Sequence, residues 1–331
     1  MEKQVKRIGV LTSGGDAPGM NAAVRAVVRT AMDCGVDCIG IRRGYNGLIN
    51  GDFLAMDADS VSHTIDRGGT ILYTARSEEF MTPAGREKAL GTCKLLGLDG
   101  LVAIGGDGTF RGALALSRQA AEHGNELQVV GIPATIDNDI GCSHYTIGFD
   151  TACNTAIECI DKLRDTMQSH ERCSVVEVMG RHAGYLALCV GIAVGATAVL
   201  IPEREFDFER DVVEPIRKSR LAGVTHFMVV VAEGAGSAVD IASRIKDEVG
   251  IDPRVTVLGH IQRGGTPSSR DRETASRMGY EAVMSLIQGK GNRVIATQEG
   301  SVVNLDMEEA LAMTKPFEME RYDVLEALNR H

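Results

Sequence analysis

Gln128-Val129-Val130-Gly131-Ile132-Pro133-Ala134-Thr135-Ile136-Asp137-Asn138-Asp139-Ile140-Gly141 decides how the rest of this chain is read. Its opening, Gln128 to Ile132, is short, apolar and β-branched, the pattern of a buried strand. A long amphipathic segment follows from near Asp150. Two carboxylates, an amide and a hydroxyl thus lie in the loop at a strand's carboxyl end, where open α/β sheets bind ligands. Asp137 and Asp139 alternate, so in an extended loop they need not point the same way. One suits a base toward a hydroxyl, the other a metal or a second donor. The plainer reading is a solvated turn rich in Asp and Asn.

Other strand ends bear on that choice. Upstream, Gly100 to Ile104 is a buried strand ending in Gly105-Gly106-Asp107-Gly108-Thr109, with a helix expected from Phe110 to about His123. Glycines on both sides of one carboxylate let the backbone touch an oligophosphate. Asp107 suits the accompanying Mg²⁺, which typically takes one or two carboxylates plus phosphate oxygens and water. An ordinary Asp-Gly turn is the alternative; with the neighbouring strand ends in view, we read a phosphate turn. Near the amino terminus, strand Ile8 to Thr12 runs into Ser13-Gly14-Gly15-Asp16-Ala17-Pro18-Gly19 and a helix from about Met20. Such a turn brings backbone N–H groups to a phosphate at a helix start. It matches neither GxGxxG nor GxxxxGK[ST], so dinucleotide dehydrogenases and P-loop enzymes fit poorly. Cys38 to Ile41 reads as a strand before a loop with Tyr45; Arg76 and Ser77 follow another short apolar run.

Downstream, a helix is expected from about Thr151 to His170, then Arg172 and strand Ser174 to Val178, which ends in Met179-Gly180-Arg181-His182. Strand His226 to Ala232 ends at Glu233-Gly234, and Val255 to Gly259 leads into His260-Ile261-Gln262-Arg263-Gly264-Gly265. Each strand delivers polar residues at the same end. Alternation along the whole chain argues for an α/β protein with mostly parallel sheets. There are more strands than one compact sheet of this length carries. Two similar three-layer α/β/α domains are expected, with the active site in the cleft between them. The boundaries are placed at 1–141 plus about 261–305, and at 142–260 plus about 306–331.

Composition narrows the function class. The 331 residues are 44% hydrophobic and 24% charged, ordinary for a globular chain. A net charge of −10 argues against non-specific nucleic-acid or anionic-membrane binding. Eight scattered cysteines form no CxxC pair and read mostly as small buried hydrophobes in a reducing compartment. The apolar segments are short and interrupted by charge, and a cytoplasmic location is expected.

With these motifs in order, the sequence resembles the ATP-dependent 6-phosphofructokinases of bacterial type. The resemblance rests on Gly9 to Asn21, Ile104 to Thr109, Thr135 to Asp139, Val178 to Arg181 and Leu258 to Gly265, which span essentially the whole chain. It implies phosphoryl transfer from MgATP to the 1-hydroxyl of fructose 6-phosphate, the committed step of glycolysis. By this resemblance Gly15, Tyr45, Arg76, Ser77, Gly106, Asp107, Gly108 and Thr109 hold the nucleotide, with Asp107 at Mg²⁺. Asp137 is the base toward the sugar hydroxyl, with Thr135, Asp139 and Arg181 beside it. Ile136, Met179, Gly180, Arg181, Glu233, His260, Ile261, Gln262 and Arg263 contact the sugar phosphate. Arg172 and Arg254 reach it from a neighbouring subunit, which implies a homotetramer.

Two features depart from the family's pattern. Ala134 stands where ATP users commonly carry Gly; pyrophosphate users typically carry Lys there and Asp in place of Gly108. A small, neutral pair leaves room for the nucleotide's α-phosphate, so ATP is the expected donor. At the effector site Arg25, Arg29 and Arg164 match, whereas Ala58, Thr197, Ala222 and Val224 are not ionic. Effector control is expected to be weak or absent. The competing readings are a pyrophosphate-dependent enzyme of the same fold and a non-catalytic sugar-phosphate or nucleotide sensor.

Overall fold

Strands and helices alternate along most of the described chain. The computed structural model describes residues 5–170 and 172–328. β1 (Arg7–Thr12), α1 (Met20–Asp33), β2 (Asp37–Ile41), α2 (Gly44–Asn50) and β3 (Phe53–Met56) come first. α3 (Pro83–Leu96), β4 (Gly100–Gly105), α4 (Asp107–Glu122), β5 (Gln128–Pro133) and α5 (Phe149–His170) follow. Next are β6 (Cys173–Val178), α6 (Tyr185–Ala193), β7 (Ala198–Leu200), α7 (Glu214–Leu221), β8 (Phe227–Ala232) and α8 (Ala238–Val249). The chain closes with β9 (Arg254–Val257), α9 (Ser269–Ile287), β10 (Arg293–Gln298), β11 (Ser301–Asp306), α10 (Met307–Ala312) and α11 (Met319–Leu328).

The chain divides into two compact units. The first holds residues 1–136, 140–150 and 263–315; the second holds 137–139, 151–262 and 316–331. The residues after Ile140 therefore stay with the first unit as far as Asp150, beyond the expected boundary at 141. Hydrogen bonds keep them there: His144 N–H donates to the Thr297 carbonyl at 2.8 Å, and Lys315 Nζ donates to the Ser143 carbonyl at 2.9 Å.

Among the described residues, the first unit carries a seven-stranded sheet in the order β11-β10-β5-β4-β1-β2-β3. Its interior pairs are parallel, and the outermost pairs, β2–β3 and β10–β11, are antiparallel. The central strands are buried on both faces, which is why β4 and β5 read as continuous apolar runs. Leu11, Leu101, Phe110, Leu116 and Val129 pack into one core here. Each fully buried Leu, Ile or Phe of this kind contributes about 1.5–3 kcal/mol relative to exposure. The second unit carries a smaller, four-stranded parallel sheet, β7-β8-β6-β9, so the two units are alike in kind and unequal in size. Val175, Val229, Val231, Ile241 and Ile245 are central to its core.

Helix starts carry their own signals. Thr82, Ser237, Ser268 and Asp306 each accept a first-turn N–H at the head of α3, α8, α9 and α10. α4 begins at Asp107, earlier than the apolar spacing from Phe110 suggests, because the Gly106 carbonyl already accepts from the N–H groups of Thr109 and Phe110. Five of the eight cysteines are buried; Cys34 is exposed, and Cys159 and Cys189 are half-buried. Burial pushes the Cys38, Cys93 and Cys173 thiols up to about 12, so they stay neutral. Among the described residues no helix is long and apolar enough to cross a membrane.

Candidate active site

In the first unit, sheet order locates the site before any side chain is considered. β1 lies between β2 and β4, so the winding direction reverses there, and ligands of open α/β sheets bind at such reversals. The two Gly-rich turns leave β1 and β4 side by side. Ser13 N–H donates to the Ile104 carbonyl at 2.9 Å, and Thr109 Oγ1 donates to the Ser13 carbonyl at 3.2 Å. Asp107 and Gly108 are exposed in the first turn of α4, where the helix dipole and N–H groups favour an anion. A β-carbon on Gly108 would meet nothing within 4 Å.

The segment carrying Arg76 and Ser77 is tied to the same place. Thr12 Oγ1 donates to the Tyr73 carbonyl at 2.9 Å, and Thr74 Oγ1 donates to the Gly14 carbonyl at 2.6 Å. Asn21 secures the preceding turn, donating to the Arg67 carbonyl and accepting from Ile71 N–H. Arg76 is exposed beyond these anchors. Sequence reasoning gave Thr12, Asn21 and Thr74 no such role; their hydroxyl and amide types were the only hint, because their partners are distant in sequence.

Tyr45 behaves differently from its expected place at the nucleotide. It is 5% exposed and stacks on Phe80 with ring centroids 4.0 Å apart. Its hydroxyl donates to the Thr109 carbonyl, so it supports the first turn of α4 from below. Burial pushes its phenol well above the usual range, and it remains a donor. Arg263, expected at the sugar phosphate, belongs to the first unit and donates through Nη1 to the Asp16 carbonyl at 3.0 Å. Gly15 makes room for it: a β-carbon there would lie 2.6 Å from Arg263 Nη1.

The loop after β5 is a turn, where the sequence allowed an extended segment. Asn138 takes φ 52°, a left-handed conformation that Asn tolerates better than most residues. Ala134 is 1% exposed, and its N–H donates to the Gly105 carbonyl at 2.9 Å. Ile136 is buried, Thr135 and Asp137 are half-buried, and Asp139 is exposed. The division between units falls inside this loop, after Ile136.

In the second unit the ends of β6 and β9 come together. Met179 N–H donates to Gln262 Oε1 at 2.9 Å, and Gln262 is fully buried. Gly180 holds φ 133°, a conformation that side chains rarely adopt, and accepts from Gly234 N–H at 3.2 Å. Glu233 N–H donates to the Val178 carbonyl at 2.9 Å. Met179, Gly180, Glu233 and Gln262 therefore form one hydrogen-bonded cluster, in which Glu233 is exposed, and Arg181 is exposed beside it. His260 and Ile261 are also exposed, in the turn after β9. Arg254 is exposed on β9 and paired at 3.9 Å with Asp252, while Arg172 is half-buried just before β6. Asp139 belongs to this unit; burial first, then the charges of Glu203, Glu318 and Asp139, push the Tyr185 phenol up to about 12.

The effector positions are partly occupied by the chain itself. The Arg164 guanidinium donates to the Val194 carbonyl beside a cavity of about 170 Å³ that Thr197 and Val224 also line. Arg217 pairs with Glu209, and Lys218 with Glu214 at 3.3 Å.

The donor set can also be tested against a metal. Among the described residues no group of three or more His, Cys, Asp or Glu could hold an ion. A metal at Asp107 would therefore take at most two such side chains from the protein and the rest of its shell from other oxygens and water. That fits Mg²⁺, which dehydrates reluctantly and rarely uses an all-protein cage.

Comparison with known proteins identifies the family. The family model described as "Phosphofructokinase" matches residues 7–286. An "ATP-dependent 6-phosphofructokinase" of Clostridium botulinum is 52% identical over 326 residues, covering 98% of this chain and 100% of that one. The structure of phosphofructokinase from Saccharomyces cerevisiae is similar with a TM-score of 0.87 at 35% identity, over 98% of this chain; this chain spans only 47% of the yeast chain. A pyrophosphate-dependent phosphofructokinase from Marinobacter aquaeolei shares the fold, with a TM-score of 0.86 at 22% identity over 99% of this chain and 92% of that one. The chain belongs to the phosphofructokinase family.

Proposed function

We propose that this chain is an ATP-dependent 6-phosphofructokinase. It transfers the γ-phosphoryl group of MgATP to the 1-hydroxyl of fructose 6-phosphate, giving fructose 1,6-bisphosphate and ADP. The observation that carries this reading is the pairing of the two Gly-rich turns at the ends of β1 and β4, with Asp107 in the first turn of α4. Kinship with a full-length ATP-dependent relative supports the choice of donor.

Phosphoryl transfer needs positioning and neutralisation of charge more than covalent chemistry. The turns at Gly15 and Gly106–Thr109 cradle the phosphates, with Arg76 as a cation beside them. Asp107 would hold Mg²⁺, which would supply charge neutralisation to the phosphates. Asp137 accepts the proton of the sugar hydroxyl, with Thr135 and Asp139 ordering that loop. Arg181 balances charge on the transferring group; a guanidinium suits phosphate because its planar fork donates in parallel pairs. The first unit serves the nucleotide, and the cluster of Met179, Gly180, Glu233, His260 and Gln262 serves the sugar phosphate. Arg172 and Arg254 serve a neighbouring subunit's sugar phosphate, in a cytoplasmic homotetramer.

Gly108 and Ala134 favour ATP over pyrophosphate. A β-carbon on Gly108 would meet nothing within 4 Å, so Gly108→Asp tests added charge and lost room at the nucleotide without a clash against the protein at its β-carbon. A carboxylate there should weaken use of ATP by repelling its α-phosphate. The test of the whole reading is a coupled assay of purified protein with fructose 6-phosphate, comparing ATP, GTP and pyrophosphate.

A further inference from the structure

Asp271 lies in the first turn of α9 and is fully buried, at 0% exposure. A buried carboxylate is costly unless donors take its oxygens. Here Oδ1 accepts from the hydroxyl of Tyr145 and from the backbone N–H of Gly148, the latter at 2.6 Å. Both donors sit on one short segment that returns along the end of β5. Arg270, next to Asp271, lies 4.2 Å from the centre of the Tyr145 ring and helps hold it. Burial, then the Asp271 charge, push the Tyr145 phenol far above its ordinary range, so it donates at any working pH.

The same segment is tied on its other side to the loop after β5. Ile147 bridges to Ala134, and its N–H donates to the Pro133 carbonyl at 3.1 Å. Thr146 Oγ1 donates to the Thr135 carbonyl at 2.7 Å. The segment also packs on the turn after β1. A β-carbon on Gly19 would meet Ile147 Cγ2 at 2.6 Å, and one on Gly148, whose φ is 103°, would meet Ala17 Cβ at 2.6 Å. Residues 145–148 are therefore wedged among the turn after β1, the loop after β5 and the head of α9, and Asp271 is a fully buried carboxylate at that junction.

We propose that Asp271 is a positioning residue for phosphoryl transfer: through Tyr145 and Gly148 it fixes the segment that sets Thr135 and the backbone leading into Asp137. This rests on the proposed role of Asp137. A carboxylate suits the task because charge-assisted hydrogen bonds are shorter and roughly twice as strong as neutral ones. The placement matters because a misplacement of about 1 Å at a reacting group can cost on the order of 10²-fold in rate.

The test uses the full chain with Asp271→Asn, Tyr145→Phe and Thr146→Val, measuring kcat, KM for each substrate and thermal unfolding. Thr146→Val breaks the far end of the relay without touching Asp271. Positioning predicts that Asp271→Asn and Thr146→Val each lower kcat about tenfold or more, while KM for ATP moves less than about threefold. The double variant should lose little more than either single one, because both break one relay. Asp271→Asn keeps an acceptor oxygen, so it should retain more activity than Asp271→Leu if the latter folds. A merely structural role predicts lower melting temperatures with kcat within about twofold of native, and that result in Asp271→Asn and Thr146→Val overturns the inference. Asp137→Asn, measured alongside, separates the two claims. An inactive Asp137→Asn beside near-native Asp271→Asn and Thr146→Val sinks the positioning role alone. An active Asp137→Asn sinks the base assignment and the inference with it.

Discussion

Arg263 lies across Gly15: its Nη1 donates to the Asp16 carbonyl at 3.0 Å, in space that a β-carbon on Gly15 would enter to within 2.6 Å. The turn after β1 and the stretch that begins at Arg263, both in the first unit, are thereby held together through one cation. Gly15→Ala should leave the chain folded, since the far end of an Arg can shift, at a cost of roughly 1–3 kcal/mol for overpacking. The displaced guanidinium should lower kcat/KM by about tenfold. Adding Arg263→Ala should restore the melting temperature but not the activity. Native kinetics in Gly15→Ala would show that the contact is incidental.

Asp137 is expected to be the general base. Asp137→Asn keeps the size of the side chain and removes the proton acceptor, so kcat should fall by about 10²-fold or more. Nucleotide affinity, measured by titration, should change little. Near-normal turnover removes Asp137 from the mechanism.

The paired strands and the Gly-rich turns were legible because each depends on a local pattern: apolar runs for β4 and β5, then glycines and polar residues at their ends. The start of α4 was misplaced, since Asp107, Gly108 and Thr109 carry no apolar periodicity yet are helical. Tyr45 looked like a loop aromatic facing a ligand; only the fold shows it stacked on Phe80 beneath Thr109. Asp271 was invisible as anything but a helix-start acid after Ser268, because its partners Tyr145 and Gly148 are remote in sequence. Strands β3, β10 and β11 were also missed; β3 is short, and β11 is only half-buried and exposed at its start, so both carry a weaker apolar signal, whereas β10 is buried and was overlooked.

Arg172 and Arg254 are expected to act across a subunit interface. Mixing chains that carry Arg172→Ala with chains that carry Asp137→Asn should recover part of the lost activity, because some mixed sites combine an intact arginine with an intact base. No recovery in hetero-oligomers verified by mass counts against shared sites.

ADP and phosphoenolpyruvate are expected to have little effect on activity. Such anions are held by charge-assisted hydrogen bonds, each contributing about 1.5–3 kcal/mol when well made. Ala222 and Val224 cannot supply them, and Arg164 already donates to the Val194 carbonyl. Arg217 and Lys218, the nearest substitutes, are paired with Glu209 and Glu214, though such exposed pairs are weak. Millimolar effector should shift half-saturation for fructose 6-phosphate by less than about twofold. A several-fold shift abolished by Arg164→Ala would show a working effector site.

The most direct test of the proposed activity is the initial rate of fructose 1,6-bisphosphate formation by the purified protein, with Mg²⁺ and fructose 6-phosphate, when ATP is replaced by pyrophosphate. With Gly108 and Ala134 leaving the α-phosphate room and no added charge, ATP should support turnover and pyrophosphate should support at most about one hundredth of that rate. A protein that turns over faster with pyrophosphate than with ATP, or with neither, contradicts the proposal.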